Sequence, residues 1–428
     1  PLVTAMSAEA SDMSSWLLMG LPGVAYLSGV ADASWTAIGL ALGIYLNFLL
    51  VAKRTRRYSV QLDAITIPSF ISKRYQEKRP VIMCIASLII LIFFVPYVAS
   101  GLAAIGKLFN SLFGWNYMLA VIIGALVIIS YTSVGGFSAV ATMDLIQSII
   151  MTVALVVITV FSINQAGGVD AVVENAKSMD GYLSFFQTYD PVAGSAKPYP
   201  AINIFSMLAW GLGYFGMPRN SVSKAGHIPT LEGSASETII VQIANLLSTY
   251  SWLAAIVAGL ILAGILAATM STADSQLLAA SSAFSENLLQ DVFGMKLTPK
   301  QTMLVARGTV ICIAIIAVFL ASDPNSSVFA IVSFAWAGFG ATFGPAILCA
   351  LFWKRSNRQG ILAGLVVGGV MVFVWKFLIA PMGGALAIYE LLPAFLSALI
   401  AIVVVSLLTP KPDASVLALF EQSKQSAE

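Results

Sequence analysis

Charged side chains are scarce in this chain of 428 residues. Only 10% of the residues are Asp, Glu, Lys or Arg, whereas 59% are hydrophobic. A water-soluble domain needs far more polar surface than this composition supplies. The formal net charge is only +2, which argues against a nucleic-acid partner, because such proteins carry a strongly basic surface. The composition therefore points away from a soluble globular protein and towards the lipid bilayer.

Side chains that bind metals or act as nucleophiles are also few. His227 is the only histidine, and Cys84, Cys312 and Cys349 each stand alone inside an apolar run. We interpret the cysteines as buried small hydrophobic side chains without a disulfide or metal role. No HExxH motif, Ser/His arrangement or glycine-rich phosphate loop is visible. The sequence therefore predicts that the protein is not an enzyme.

What the chain does contain is a series of apolar runs of about twenty residues. Such a run crosses the ~30 Å hydrocarbon layer as a helix. Only helices satisfy their backbone hydrogen bonds in lipid without closing a barrel. The sequence thus predicts an all-α, multi-pass protein of the cytoplasmic (inner) membrane. The expected spans are 2–29, 33–53, 80–108, 117–133, 138–163, 201–218, 253–288, 300–321, 326–353, 360–380 and 385–408.

Basic residues predict which loops face the cytoplasm. Lys and Arg cluster in 53–57, 73–79, 296–300 and 354–358, so the positive-inside rule assigns these loops to the cytoplasm. The loops at 164–200 and 322–325 are then expected outside. On this assignment the spans 201–218 and 253–288 would both end in the cytoplasm, which two successive spans cannot do. We therefore expect an odd number of crossings to be absent after about Pro218, and a further helix to precede Pro1.

The first span is interrupted by polar residues. Its segment 7–16 contains Ser7, Ser11, Ser14 and Ser15 together with Asp12. Serine competes with the backbone for hydrogen bonds, so this stretch can unwind and expose carbonyl groups. A carboxylate in the membrane is costly, so Asp12 is a functional candidate. The alternative is that it only caps neighbouring N–H groups.

The sixth visible span carries three glycines and a proline within Ala209–Pro218. This composition weakens a helix. Interrupted helices at corresponding positions of two halves indicate a transporter binding site. The alternative is close helix packing through small residues.

A cluster of hydroxyl groups lies in the segment Ala267–Gln276. Residues 268 and 272 are one helical turn apart, so the Thr272 hydroxyl lies beside the carbonyl of Ala268, and Ser271 adds a second hydroxyl. Such neutral oxygens suit a small monovalent cation, Na⁺. The alternative for either hydroxyl is an ordinary bond to the carbonyl four residues earlier. Asp274 either favours the cation or anchors packing.

Other polar residues inside the spans give weaker signals. Tyr97 follows a helix-breaking proline, Pro96, and Asp144 and Gln147 lie early in the span 138–163. Asp144 and Gln147 either line a water path or lie at a helix end near the interface. The glycine-rich stretch 334–345 is more typical of close helix packing than of a site.

Four of these motifs together identify a family resemblance. Segments 11–23, 210–218, 268–278 and 333–345 resemble the first, sixth, eighth and tenth core helices of the sodium:solute symporters, most closely those that transport proline. The resemblance covers almost the whole chain and implies the LeuT-type fold, two inverted five-helix repeats with additional peripheral helices. The first repeat would be 1–163, 164–200 an outer loop, 201–353 the second repeat, and 354–428 two peripheral helices with a cytoplasmic tail.

The resemblance also implies roles for individual residues. A sodium site would lie between the first and eighth core helices, with Asp12, Asp144 and Asp274 as nearby acidic groups. The sodium ligands would be the carbonyls of Ala10, Met13 and Ala268 and the hydroxyls of Ser271 and Thr272. The substrate pocket would comprise Ser14, Trp16, Tyr97, Trp210, Tyr214 and Pro218. Ser15 replaces a glycine common in the family, and Asp274 stands where some members have serine.

The function that follows from the resemblance is sodium-coupled uptake of L-proline by alternating access. Trp and Tyr rings can pack against the proline ring and attract its ammonium group. Unwound backbone N–H groups can receive its carboxylate. Two alternatives are a sodium symporter for another solute, such as pantothenate or another amino acid, and a transporter-like sensor.

Overall fold

The computed structural model describes residues 7, 10–11, 14–216 and 233–425, except for the side chains of 136–139, 216, 233, 253 and 424–425. These residues are mostly helical, with one antiparallel hairpin of β1 (Gln187–Asp190) and β2 (Ser195–Pro198). The helices are α1 (Trp16–Ser28), α2 (Val30–Gln61), α3 (Ile67–Arg74), α4 (Val81–Phe113), α5 (Tyr117–Gln165), α6 (Val169–Ser178), α7 (Ala201–Phe215), α8 (Ile239–Ser248), α9 (Trp252–Ser282), α10 (Pro299–Leu320), α11 (Val328–Phe352), α12 (Arg358–Val374), α13 (Leu391–Leu408) and α14 (Ala414–Gln425).

Membrane-crossing helices dominate the part of the chain that the structure describes. Nine segments are long and apolar enough to cross a bilayer, with α5 counted as two, and α1 and α7 are shorter apolar helices. These eleven segments correspond to the eleven predicted spans. Large apolar side chains cover the outside of the bundle; Leu49 is 60% exposed and Phe319 72% exposed. Such a surface suits lipid, so the prediction of a multi-pass membrane protein is confirmed.

Helix α5 differs from the sequence prediction. The predicted spans 117–133 and 138–163 lie end to end in one continuous helix of 49 residues. The expected turn at 134–137 contains Gly135 and Gly136 but no proline. Each glycine costs a helix only about 1 kcal/mol, which does not end a helix that is supported by packing on both sides. The fourth and fifth helices of the predicted first repeat are thus two parts of α5.

Helix α4 covers the predicted span 80–108 without a break, although that span contains a helix-breaking residue. It runs through Pro96 over 33 residues. A proline removes one backbone hydrogen bond, and neighbouring helices in a membrane bundle tolerate this loss. Tyr97 therefore lies on a continuous helix, and its side chain is 2% exposed.

Helix α11 lies at the centre of the bundle, whereas α10 lies at its edge. In the apolar 18-residue stretch of each helix, 89% of the residues of α11 are buried inside the protein, whereas only 22% of those of α10 are buried. Cys349 on α11 is accordingly buried, but Cys84 is half-buried and Cys312 on α10 is exposed. The expectation that all three cysteines are buried was therefore wrong, because lipid imposes no penalty on an outward-facing apolar side chain.

The loops predicted to be cytoplasmic lie together at one end of the bundle. Glu77, before α4, pairs with Arg358 at the start of α12 at 3.2 Å. The hairpin loop lies at the opposite end, where the Trp35 indole donates to the Phe185 carbonyl at 2.8 Å. We call this opposite end, which the basic loops predict to be extracellular, the outer end.

Candidate ion-binding and substrate site

The segment before α1 meets the middle of α9 through polar atoms. The Ser271 hydroxyl lies 2.8 Å from the Ala10 carbonyl and 3.3 Å from the Ala268 carbonyl. Ser14 is non-helical, and Trp16–Gly20 forms a π-helical turn before regular helix begins at Leu21. Ala10 itself is helical, so the backbone departs from the α-helix after this contact with α9, at Ser14 and in the π-helical turn.

Thr272 offers a further oxygen at this junction. Its side chain is 3% exposed, and its hydroxyl has no hydrogen-bond partner among the described residues. The alternative that Thr272 simply bonds to the carbonyl four residues earlier therefore does not describe this structure. A buried hydroxyl without a partner is costly, and a cation at this position would satisfy it.

The predicted sodium ligands are thus brought together from distant parts of the chain. Ala10, Ala268, Ser271 and Thr272 supply two carbonyl and two hydroxyl oxygens in a region with at most 3% exposure. Neutral and anionic oxygens are the ligands that hard cations prefer. Met13 and Asp12 lie outside the described residues.

Asp144 on α5 reaches the same irregular segment. It is 0% exposed and accepts hydrogen bonds from the hydroxyls of Ser7 at 2.7 Å and Ser11 at 3.5 Å. Ser11 also lies 2.9 Å from the Ser275 hydroxyl on α9. Asp144 is therefore a buried group that joins α5 to the segment before α1, which Ser11 in turn joins to α9, and not a helix-end group at the interface.

Asp274 on α9 is also fully buried. One of its carboxylate oxygens accepts a hydrogen bond from the Tyr131 hydroxyl at 2.8 Å. The other oxygen has no partner among the described atoms. The Tyr131 bond ties α9 to α5, which supports the packing role considered for Asp274; its role in favouring the cation stays a prediction.

Helix α7 changes its geometry at the predicted break. Regular α-helix ends at Leu208 and a 3₁₀ turn follows over Ala209–Leu212. The Trp210 carbonyl accepts a hydrogen bond from the Trp336 indole at 2.9 Å. A side chain on Gly213 would collide with the same indole at 1.9 Å. The glycines thus serve close packing against α11 while the backbone departs from the α-helix.

Aromatic rings stack across the predicted substrate site. Trp16 stacks on one side of Trp210 at 5.2 Å between ring centroids, and Tyr389 stacks on Trp210 at 5.0 Å. Phe329 lies against both tryptophans. The rings of Trp16 and Trp210 are therefore in direct contact with each other.

The other predicted substrate residues surround this stack at different distances. Ser14 accepts a weak bond from the Trp16 amide at 3.4 Å, and Tyr214 packs edge-on against Trp336 at 5.0 Å. Tyr97 is buried on α4, which packs against α9 and α11. Pro218 lies outside the described residues.

Sequence reasoning missed several residues of this region. Tyr131 and Ser275 bond to the acidic group Asp274 and to Ser11 respectively, and Ser275 directly follows Asp274 in a motif that was already considered. Ser7 lies in the serine-rich segment that was singled out, but it was not assigned to the site. Tyr389 gave no local signal, because it is a single aromatic residue near the start of the predicted peripheral span 385–408. Its stacking on Trp210 depends on the tertiary fold alone.

Comparison with known proteins gives consistent matches. The family model described as "Sodium:solute symporter family" matches residues 1–222 and 220–368. The sodium/proline symporter of Escherichia coli is 37% identical, with 99% of this chain and 88% of that protein covered. The osmoregulated proline transporter of Bacillus subtilis is 36% identical, with 96% and 88% covered.

A solved structure matches the fold as well. A Na⁺-coupled sialic acid symporter in a substrate-bound, outward-open state superposes with a TM-score of 0.69 at 18% identity, with 96% of this chain and 90% of that chain covered. The expected LeuT-type fold is therefore confirmed. The two parts of the family match meet at 220–222, next to the place where a crossing is expected to be absent. By its motifs, its fold and its whole-chain similarity, this protein belongs to the sodium:solute symporter family.

Proposed function

We propose that the protein couples the entry of Na⁺ to the uptake of L-proline across the cytoplasmic membrane. The observation that carries the proposal is the contact of Ser271 with the Ala10 carbonyl at 2.8 Å, beside the unpartnered Thr272 hydroxyl. The proline transporters that are similar over nearly the whole chain support proline as the solute. No step of this function makes or breaks a covalent bond, so the protein is not an enzyme.

The ion acts by joining two segments that do not otherwise form one helix. Na⁺ bound between the segment before α1 and the middle of α9 would order the irregular residues around Ser14. Those residues lead directly into Trp16 and the aromatic stack. Sodium binding and substrate binding are then coupled, typically by ~1–3 kcal/mol, and each ligand raises the affinity for the other by the same factor.

The electrical gradient supplies part of the driving force. Each Na⁺ that moves inward gains ~2.3 kcal/mol per 100 mV of membrane potential. Proline is a zwitterion without net charge, so the ion carries the charge of the transport step. Alternating access between the two sides of the membrane then requires movement of one predicted repeat against the other.

The aromatic stack suits the chemistry of proline. Once the stack opens, the faces of Trp16 and Trp210 can contact the apolar ring and attract the ammonium group. Backbone N–H groups near the irregular start of α1 can receive the carboxylate. No arginine lies in the motifs that form this region.

Uptake into proteoliposomes tests the proposal. Labelled L-proline should accumulate with an inward Na⁺ gradient, and an equal K⁺ gradient should give none; a Li⁺ gradient reports how selective the ion site is. Competition with unlabelled pantothenate and other amino acids separates proline from the alternative solutes. If proline accumulates equally with and without a Na⁺ gradient, the proposed ion coupling is wrong. If another solute is taken up and proline is not, the proposed substrate is wrong.

Matched variants of α9 test the ion site itself. Ser271→Ala and Thr272→Ala should raise the sodium half-saturation roughly 10- to 100-fold, as loss of one ligand to a charged group costs about 1.5–3 kcal/mol. Ser281 and Thr269 are equally buried on the same helix, but their hydroxyls bond only to carbonyls of their own helix. Ser281→Ala and Thr269→Ala should leave the sodium dependence unchanged. If the two control variants shift the sodium half-saturation as much as the two site variants do, the assignment of the sodium site is wrong.

A further inference from the structure

Helix α14 packs against the loops that are predicted to be cytoplasmic. It spans Ala414–Gln425 and follows α13 after two prolines, Pro410 and Pro412. The side chains of Val416 and Phe420, one helical turn apart, are only 4% and 1% exposed. We call the end of the bundle that carries these loops the inner end. One apolar face of α14 is thus buried against the inner end.

Phe420 of α14 covers a buried arginine. The Arg74 guanidinium lies 4.8 Å from the ring centroid of Tyr75 and 5.5 Å from that of Tyr58. The Phe420 ring lies 5.1 Å from the same guanidinium, and Arg74 is 0% exposed. Three rings therefore enclose this cation, and α14 supplies one of them. Such contacts attract a cation more strongly when water is excluded.

The enclosure leaves part of the arginine without hydrogen bonds. The Arg74 Nε group donates to the Ala350 carbonyl of α11 at 3.1 Å, but Nη1 and Nη2 have no hydrogen-bond partner among the described residues. Burial of donors without acceptors is costly. This cost is of the same order as the gain from burying Val416 and Phe420, so the docked position of α14 is only weakly favoured.

Two further contacts of α14 are exposed to water. The Ser415 hydroxyl donates to the Gln76 side chain at 2.7 Å. Glu421 lies 3.7 Å from Lys354, with side chains that are 47% and 65% exposed. Exposed polar contacts add little stability, because water competes for both partners. α14 is therefore held mainly by its two buried side chains.

Arg74 lies where the two predicted repeats meet at the inner end. It is the last residue of α3, in the first predicted repeat, whereas Ala350 on α11 belongs to the second. The next residue, Tyr75, shares a hydrogen bond of 2.8 Å with Ser356, just beyond the second repeat. Alternating access moves one repeat against the other. Opening of the inner side would therefore separate these two pairs of atoms.

We propose that α14 is a releasable strap that holds the inner side of the transporter closed. While α14 is docked, Phe420 keeps water away from Arg74 and so favours the bond from Arg74 to the Ala350 carbonyl. When α14 is released, water satisfies the guanidinium, and the two repeats separate more readily at the inner end. The strap thus sets the fraction of molecules that open inwards, which goes beyond the coupling of Na⁺ to a solute.

The thiol of Cys349 reports this opening. Cys349 directly precedes Ala350 on α11 and is 5% exposed. The full chain with Cys84→Ala and Cys312→Ala, in inverted membrane vesicles, is treated with a maleimide that does not cross membranes. Adding Phe420→Ala should raise the rate of Cys349 labelling about 10-fold or more, because a thiol reacts as the thiolate and needs access to water.

Matched variants separate the strap from a local loss of packing. Glu421→Gln, next to Phe420, weakens an exposed ion pair and should leave the labelling rate unchanged. Arg74→Met removes the bond to α11 and should raise the labelling rate by itself. Because the strap acts through Arg74, adding Phe420→Ala to Arg74→Met should give no further increase. A local hole beside Phe420 would raise the rate equally in both backgrounds.

Transport supplies a second readout. Phe420→Ala should raise the maximal rate of Na⁺-driven uptake about 3-fold, because opening towards the cytoplasm is the step that the strap slows. Unchanged labelling in Phe420→Ala, full additivity with Arg74→Met, or faster labelling without faster uptake would each overturn the strap. If the wild type takes up no proline with Na⁺, the proposed function is wrong, and the labelling of Cys349 alone then decides on the strap.

Discussion

The Glu237 carboxylate is the group whose removal should most weaken the outer end of the bundle. It pairs with the Lys107 ammonium at 2.7 Å, and the two side chains are 4% and 6% exposed. It also accepts hydrogen bonds from the Ser327 hydroxyl at 2.8 Å and from the amides of Val328 and Phe329 at 3.0 Å each. One carboxylate thus caps the start of α11 and neutralises a lysine of α4.

The expected loss of stability follows from these contacts. Glu237→Ala would leave Lys107 buried with the Ser326 carbonyl, at 2.7 Å, as its remaining hydrogen-bond partner among the described residues. Removing one partner of a buried ion pair typically costs about 3–5 kcal/mol. The two helix amides would also lose their acceptors, at about 1–3 kcal/mol each if water does not replace them. These costs share atoms and do not add fully, so we expect a decrease of at least 3 kcal/mol in the free energy of unfolding.

Reversible unfolding in mixed detergent, followed by circular dichroism, measures this change. The matched control is the exposed pair of Lys354 and Glu421, which are 3.7 Å apart with side chains 65% and 47% exposed. Lys354→Ala should lower the free energy of unfolding by no more than about 1 kcal/mol, because water screens exposed pairs.

A double-mutant cycle decides whether the ion pair is the cause. Glu237→Gln with Lys107→Met removes both charges, so the double variant should be more stable than the sum of the two single losses predicts. If the two losses simply add, or if Glu237→Ala costs less than 1 kcal/mol, the burial and the bonds described here do not carry the energy we assign to them.

Two further predictions concern the aromatic stack and the packing of α7. Trp210→Ala should raise the half-saturation for proline uptake about 3- to 30-fold, since a desolvated cation–π contact contributes about 0.5–2 kcal/mol. The control variant Trp35→Ala, at the outer end, should leave this half-saturation unchanged. If Trp210→Ala changes only the expression level, Trp210 is not part of the substrate pocket. Gly43→Ala would place a methyl group 2.2 Å from a backbone carbonyl of α7 and should destabilise the fold by about 1–3 kcal/mol. Gly308 has open space beside it, so Gly308→Ala should leave thermal unfolding in detergent unchanged or slightly raised, and equal effects of the two glycine variants would contradict the packing described.

The sodium site illustrates how far local sequence reaches. Ser271 and Thr272 are recognisable because Thr272 lies one helical turn after Ala268, so that its hydroxyl is beside the Ala268 carbonyl, and Ser271 adds a second hydroxyl next to it. Their partner, the Ala10 carbonyl, came only from the family resemblance. No spacing rule connects positions that are 261 residues apart.

Helix continuity was predicted less well than helix existence. The glycines at 135 and 136 and the proline at 96 favour a break, but α5 and α4 continue through them. Packing of each helix against its neighbours offsets a local cost of one to a few kcal/mol. By contrast, the change of α7 to a 3₁₀ turn at Ala209 coincides with the glycines, because backbone contacts with α2 and α11 leave no space for side chains there.

The sequence by itself determined the class of the protein, the positions of its spans, and the hydroxyl and aromatic residues of the candidate site. The class, the spans and the hydroxyl residues follow from composition and from spacing along one helix, which are local properties, whereas the aromatic residues were implied by the family resemblance. Only the tertiary structure decided that Tyr389 stacks on Trp210, that Glu237 caps α11, and that Asp32, Lys376 and Glu390 share one cavity. Each of these depends on side chains from separate helices meeting in space, and that meeting is set by the packing of the whole bundle.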